Sequence, residues 1–389
     1  MYQQAHDRKS HLMLTLLSWV DFLRPKYCFF ENVKGFLQYN LHASQASKYT
    51  VEGGIDKGGL KFLVHALVAM GYQVRFSLLQ AGHYGTPQGR IRFFLIAAKR
   101  GYTLPNLPEP SHASFTNATL TIHLGEKVDI TPIQAPGGTA PMKYVSIHDA
   151  LSDLLQFDWE LPDDLKKDLS DERKALLVPN SDRLTVPCHL SKARWGPEDI
   201  GITDMYKTEP RTAYQQKCRS RPVVEPQHYT RPFNKRVLLL YVFFVKVCLD
   251  YWESGVFRDY RDLPITEQDW ELINPQSATS RLGFPPGYYG RLAKEEWFRT
   301  ISTNLQPMAR QCQVTHYTCC RIYTVREFAR SQGFPDWFVF VSHDGTVKTM
   351  HRQIGNAVPW QIGEALGREL REAQLKRRRK VAQNAIVLD

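Results

Sequence analysis

Glu31 closes the apolar run Tyr27-Cys28-Phe29-Phe30 and opens the triplet Glu31-Asn32-Val33. A carboxylate ending an apolar strand is costly unless it is paired or used. At the C-terminal end of a strand in an open α/β sheet it faces the ligand crevice. Its apolar approach should raise its pKa, as suits a proton donor near neutrality; a strand-end carboxylate that merely caps a loop is the plainer alternative. The second set is Gln88-Gly89-Arg90-Ile91-Arg92. Arg90 and Arg92 should project to one side of a strand, and two adjacent guanidiniums repel unless an anion or a carbonyl oxygen lies before them. Glu31 could neutralise one of them. By itself this pattern fits a site for an anionic or carbonyl-bearing substrate, or else a structural ion pair. The third set, His351-Arg352-Gln353-Ile354-Gly355-Asn356-Ala357-Val358-Pro359, reads as a polar turn into the last helix. There Gly355 would allow a tight turn, and Asn356 offers both a donor and an acceptor.

The elements that must position these residues alternate. Leu12, Leu16, Trp19, Val20 and Leu23 recur at helical spacing, and Arg24-Pro25 ends that helix. The run at 27–30 suits a strand buried on both faces. Leu60, Leu63, Val64 and Leu67 mark a second helix that stops at Gly71. Tyr72, Val74, Phe76 and Leu78 alternate, as do Ile91, Phe93, Leu95 and Ala97, and the stretch from Gly82 to Gly89 joins the two strands. This order predicts an α/β sheet with an antiparallel hairpin at its end over residues 1–100. Patterning fades across 101–310, which reads as an inserted irregular domain. Within it 151–184 is an acidic spacer, and 237–249 contains the most apolar stretch, Val237-Leu238-Leu239-Leu240-Tyr241-Val242-Phe243-Phe244-Val245. That stretch is either a buried strand or a segment foreign to the fold, and is too short to span a bilayer. Order returns over 311–375: Thr324 and Glu327 form a capping box for a helix closing at Gly333, and the last helix starts at Pro359 and leads into a basic tail at 376–389.

The 389 residues carry a net charge of +11 and are 43% hydrophobic, which fits a globular chain with a polyanionic partner. Seven cysteines without a CxxC pair argue against a disulfide framework and against a structural zinc site. No apolar run reaches membrane length, so no membrane partner is expected. Residues 368–380 hold seven basic and two acidic side chains. The run Lys376-Arg377-Arg378-Arg379-Lys380 is either a solvated helix end or a phosphate-binding or nuclear-import run. Residues 191–236 hold ten bases and five acids, with Trp195, Tyr206, Tyr214, Tyr229 and Phe233 interleaved. Such a mixture suits a nucleic-acid face, through Arg219 and Arg221 among others, or a surface loop with core aromatics.

Taken together, Glu31-Asn32-Val33, Gln88-x-Arg90-x-Arg92, the stretch from Arg326-Glu327 to Gly333-Phe334-Pro335-Asp336, and Gly355-Asn356-Ala357-Val358-Pro359 resemble, in order and spacing, the C-terminal motifs of DNA cytosine-5 methyltransferases of the eukaryotic maintenance type. Phe22-x-Arg24-Pro25, Leu79-Gln80-Ala81-Gly82-x-Tyr84-Gly85, Pro108-Glu109-Pro110 and Tyr289-Gly290-Arg291-Leu292 add to the resemblance. It implies a Rossmann-like α/β fold of the S-adenosylmethionine-dependent methyltransferases, a mixed sheet with an inserted target-recognition region. It also implies S-adenosyl-L-methionine as cofactor, double-stranded DNA as partner, and the nucleus as location. The flipped cytosine would be attacked at C6 by a cysteine thiolate and methylated at C5. Glu31 would hold and protonate N3, Asn32 would orient it and the nearby loop, and Arg92 would bind O2. Arg90 would bind the adjacent phosphate or the nucleophile's loop, and Asn356 and Val358 would line the methionine end of the cofactor pocket.

The chain departs from the family pattern in having neither the Pro-Cys-Gln turn of the nucleophile nor the glycine-rich cofactor loop. Cys28 points into the sheet and is no substitute. The expectation is therefore a sheet lacking its N-terminal strands, inactive alone, whose partner is the upstream part of the same catalytic domain. A non-catalytic DNA-binding or regulatory relic is the alternative. An RNA methyltransferase is the third reading, opposed by the large insert, since reading a duplex groove needs added surface.

Overall fold

The computed structural model describes residues 12–46, 51–116, 120–125, 128–160, 162–167, 183–188, 194–231, 291–301, 305, 313–319 and 321–386. The apolar stretch at 237–249, Phe233 and Tyr289-Gly290 lie outside the described residues. Contacts divide the chain into two compact units, residues 1–85, 90–144 and 361–389 in one, 86–89 and 145–360 in the other.

The first unit is built on a three-stranded sheet in the order β1 (Tyr27–Val33), β3 (Ile91–Lys99), β2 (Tyr72–Gln80). Both ladders are antiparallel, so β1 and β2 point the same way and β3 runs between them. The hairpin read from the alternating residues is thus present. Helices α1 (Leu12–Leu23) and α2 (Gly58–Ala69) cover one face, where Leu17, Val20, Leu60, Leu63 and Leu67 pack with Cys28, Leu78, Phe93 and Leu95. Gly71, with φ of +88°, takes the left-handed conformation that ends α2. On the other face Leu79, Phe94 and Ile96 pack against Ile362 and Leu366 of the C-terminal helix, Trp360–Ile386.

Two expectations for this unit change. β1 is an edge strand among the described residues, and it is not buried on both faces: Cys28 is buried, whereas Phe29 and Val33 are exposed. The cover given by the C-terminal helix meets β2 and β3, and no residue of β1 belongs to that cluster. The helix at 12–23 forms as read, but it seats Leu17 and Val20 and leaves Leu12, Leu16, Trp19 and Leu23 exposed.

The second unit has a large core of its own. Ile147, Leu151, Leu154, Phe157 and Trp159 pack with Trp195, Tyr214, Tyr229, Phe298, Tyr323, Val325, Phe328, Met350 and Ile354. The segment read as an acidic spacer therefore begins as core, and its acids are used: Asp153 is buried against Arg330, and Asp158 faces Arg183 at 3.6 Å. Domain limits also fall elsewhere than read. Residues 101–144 stay with the sheet, through Leu104 and Leu107 and the bond from Tyr84 Oη to the Pro108 carbonyl at 2.8 Å. The helical motifs of 324–356 share the core of the second unit. Besides a five-residue helix at Asp163–Lys167, the described helices after α1 and α2 are α3 (Ile147–Leu151), α4 (Ala213–Cys218), α5 (Val325–Ser331), α6 (Val347–Asn356) and α7, the C-terminal helix. The capping box at α5 is as expected, with Thr324 and Glu327 each bonded to the other's backbone N–H, and Gly333 follows with φ of +83°.

Candidate base-binding site

Glu31 stands opposite Phe94 in the β1–β3 ladder, and Val33 stands opposite Arg92. Glu31 and Arg92 are therefore diagonal neighbours on one sheet face, within reach of long side chains. Arg92 Nε lies 3.2 Å from Glu31 Oε1, the arginine side chain 12% exposed and the carboxylate 30%. Burial raises the Glu31 pKa, and the positive charges of Arg92 and Arg90 oppose that rise. Arg90 sits one residue before β3 and is buried; its carbonyl accepts from the Ala81 N–H at 2.9 Å. Burial, and next the charge of Arg92, push its pKa down to about 9, while Glu31 pulls it up. Burial also lowers the pKa of Arg92, against the pull of Glu31. The result is one carboxyl and two guanidiniums in a partly dry setting, with the carboxyl at the solvent edge. The face-sharing read from the motif is present, and so is the neutralisation by Glu31. Such a group can donate a proton and bind a carbonyl oxygen side by side.

Asn32 lies opposite Phe93 in the ladder and so belongs to the other face from Glu31. Its Oδ1 accepts from the Val33 N–H at 2.8 Å, which fixes the backbone where β1 ends. Gln88, the first residue of the same motif, is fully buried with both amide atoms unpaired among the described residues, and it belongs to the second unit.

Asn356 and Val358 also lie in the second unit. The segment from His351 is no turn: His351 to Asn356 form the second half of α6, and the turn is confined to residues 357–359. Val347, Met350, His351 and Ile354 recur on one buried face, and the Thr346 hydroxyl accepts from the Thr349 N–H, so helix wins over turn. Gly355 is helical and buried, with no positive φ. Gln332 Nε2 donates to the carbonyls of Ile354 (3.1 Å) and Ala357 (2.7 Å), pinning the turn. At the end of α6 Asn356 presents an exposed amide with no hydrogen bond among the described residues, and Val358, in the turn, is exposed. A free amide at a helix end and an exposed isopropyl group in the turn after it fit an amphipathic ligand such as a methionine moiety, at one end only.

No described cysteine is poised as a nucleophile. Cys28 and Cys319 are buried with pKa values pushed up to about 11, and Cys188 and Cys218 to about 12, with burial the leading cause in each. Cys28 points into the helix-covered face, as read.

Of the two readings of the basic segment, the described part, 194–231, fits the one in which its aromatics are core. Trp195, Tyr214 and Tyr229 are core, and Tyr206 donates to Asp336 at 2.8 Å. Arg219 stacks on Tyr206 at 3.7 Å and faces Asp153 and Glu209 at 3.5 and 3.6 Å. Its charge is spent inside the fold. Arg221 remains exposed, over the Trp337 ring at 4.7 Å.

The motif around α5 holds two buried ionic networks whose partners spacing could not reveal. Arg330 binds Asp336 and, 177 positions away in sequence, Asp153. Arg321 forks onto Glu327 at 2.7 and 2.9 Å, and His316 Nε2 lies 3.4 Å from the same carboxylate.

A family model of C-5 cytosine-specific DNA methylases matches residues 2–372. Over 371 residues the chain is 31% identical to DNA (cytosine-5)-methyltransferase 1B of Oryza sativa subsp. japonica, covering 93% of this chain and 20% of that protein. Against DNA (cytosine-5)-methyltransferase 3 of Arabidopsis thaliana it is 32% identical, covering 93% and 21%. For DNA (cytosine-5)-methyltransferase 1 of Mus musculus the figures are 29%, 97% and 22%. The chain thus spans about a fifth of the length of the curated relatives it matches. With the family match running over nearly its whole length, this chain belongs to the C-5 cytosine-specific DNA methylase family.

Proposed function

We propose that the chain supplies the base-binding wall of a DNA cytosine-5 methyltransferase acting on cytosine in double-stranded DNA. The observation that carries this is the Glu31–Arg92 pair at 3.2 Å, with Arg90 beside it and a carboxyl whose pKa is raised. Cytosine presents N3 and O2 side by side on one edge. Glu31 holds N3 and gives it a proton, and Arg92 donates to O2. When a thiolate adds at C6, the negative charge that develops over N3 and O2 is met by that proton and that cation. The buried Arg90 keeps the local field positive. Asn32 fixes the end of β1, so that Glu31 stays aimed.

S-adenosyl-L-methionine, when bound, supplies the methyl group. Asn356 would hold its polar end and Val358 would pack against its aliphatic part. The thiol comes from outside the described residues, because each described cysteine is buried and held protonated. We read its source as a further segment of the same catalytic domain. This makes the chain inactive alone, and an action on DNA implies a nuclear location.

The test uses a cytosine opposite an abasic site, which removes most of the cost of extrusion. The full chain should prefer this duplex over one carrying uracil, whose N3–H cannot accept the Glu31 proton, by on the order of 10-fold. Glu31→Gln should abolish the preference. A preference that survives in Glu31→Gln, or that is absent from the unaltered chain, contradicts the assignment.

A further inference from the structure

At the end of the sheet remote from Glu31, three stretches of chain bring cations together. Lys26 precedes β1, Lys99 ends β3 and Arg100 follows it, and the run from Lys376 to Lys380 lies on α7. Tyr102 is the meeting point. The Arg377 guanidinium stacks on its ring at 3.8 Å and donates to the Gly101 carbonyl at 3.3 Å, while Lys26 Nζ lies 5.9 Å from the same ring. Tyr27 packs edge-on to Tyr102 at 5.9 Å, its buried hydroxyl without a hydrogen bond.

With Arg377 turned inward, helix geometry sets Lys376 and Lys380 on one flank of α7 and Arg378 on the other. Lys26, Lys99, Arg100, Lys376, Arg378, Arg379 and Lys380 are all exposed, and none forms an ion pair among the described residues. Glu372, one turn before Lys376, is not bridged to it either. A solvated helix end needs no tie to the body of the protein. Here the tail is anchored by Arg377, and cations from two other segments are gathered beside it against their mutual repulsion. Such an arrangement is relieved by an extended polyanion.

We propose that Lys26, Lys99, Arg100 and the basic turn of α7 form a second phosphate-binding surface, which holds duplex DNA flanking the target cytosine. The choice of duplex rests on the function proposed above; the surface itself does not. Seven residues of β3 separate Arg92 from Lys99, about 24 Å at strand rise. A duplex of about 10 base pairs centred on the cytosine reaches only about 17 Å to either side. It should occupy the base-binding site alone, whereas a duplex of about 40 base pairs should reach both.

The experiment titrates the full chain with both lengths by fluorescence anisotropy over a range of salt. Its variant is Lys376→Ala/Arg378→Ala/Arg379→Ala/Lys380→Ala, which leaves the Arg377 anchor in place. The long duplex should bind on the order of 10-fold more weakly to the variant, with a log–log salt slope shallower by about 2–3, and the short duplex should be unaffected. Lys376→Arg/Arg378→Lys/Arg379→Lys/Lys380→Arg should bind as the unaltered chain does, because the charges remain. Unchanged affinity and slope on the long duplex overturn the proposal, and so does an equal loss on both lengths. Loss of the cytosine preference in Glu31→Gln is scored separately, so failure of the base-binding reading and failure of this surface give different results.

Discussion

Glu31 and Arg92 face each other diagonally across the β1–β3 ladder, 3.2 Å apart, although 61 positions separate them in the chain. In the function proposed above, the pair would join the proton donor to the cation that binds the base oxygen, so each should be sensitive to loss of the other. Arg92→Lys keeps the charge but loses the planar fork. In a duplex-binding assay it should leave overall DNA affinity within about 2-fold, because the phosphates dominate affinity. Preference for the extrahelical cytosine should fall. A loss of general affinity in Arg92→Lys, with preference intact, would place this arginine on the backbone.

Removing one member of a buried ion pair leaves the other charge stranded. Glu327 is fully buried, and its carboxyl is held well below the usual range by Arg321 and then His316, against the cost of burial. Glu327→Gln should destabilise the second unit by about 3–5 kcal/mol. Urea unfolding followed by tryptophan fluorescence checks this; a change below about 1 kcal/mol would mean that Arg321 finds another partner.

Three buried histidines give the second unit an acid limit. Burial lowers the pKa of His228 and of His316 to about 4, and that of His351 to about 3. A depressed folded-state pKa means that the folded form binds fewer protons than the unfolded chain. The stability involved is present above the unfolded value near 6.5 and is lost as pH falls from there towards about 4. Thermal melts between pH 7.5 and 4.5 should therefore show a falling Tm, and His351→Gln should lessen the slope. A Tm that is flat over this range would show that these rings take up protons in the fold as readily as in the unfolded chain.

The stripe of α1 formed by Leu12, Leu16, Trp19 and Leu23 is exposed along its length, and β1 has a bare edge among the described residues. An apolar helix face and an unpaired strand are both sticky. The chain expressed alone should self-associate, and Leu16→Glu/Trp19→Glu should raise the monomer fraction several-fold by light scattering. A monodisperse monomer of the unaltered chain would count against this expectation.

How much of this was legible in the sequence depends on the range of the interaction. Local signals read well: the Thr324–Glu327 capping box, the stop at Gly71, and the alternation of β2 and β3 act within a few residues. The placement of Arg90 and Arg92 on one side follows from strand period alone. The sequence was less decisive where a pattern has two outcomes. Alternating bases and aromatics at 191–236 could stack on nucleic acid or fill a core, and Trp195, Tyr214 and Tyr229 fill the core. The glycine in Gly355-Asn356 signalled a turn, yet the buried stripe of Val347, Met350, His351 and Ile354 extended the helix through it. Partners far apart in the chain, such as Asp153 for Arg330 or Tyr102 for Arg377, leave no spacing to read.

Single-turnover methyl transfer tests the central claim most directly. The chain is supplied with the upstream part of a catalytic domain by fusion, and saturating S-adenosyl-L-methionine and a cytosine-containing duplex are added. Glu31→Gln keeps the shape of the side chain and a hydrogen bond but removes the acidic proton. The transfer rate should fall by about 10²–10⁴-fold, the range for general acid catalysis, with duplex affinity unchanged. A reconstituted Glu31→Gln enzyme that transfers methyl at the unaltered rate would return Glu31 to the role of a structural strand-end carboxylate.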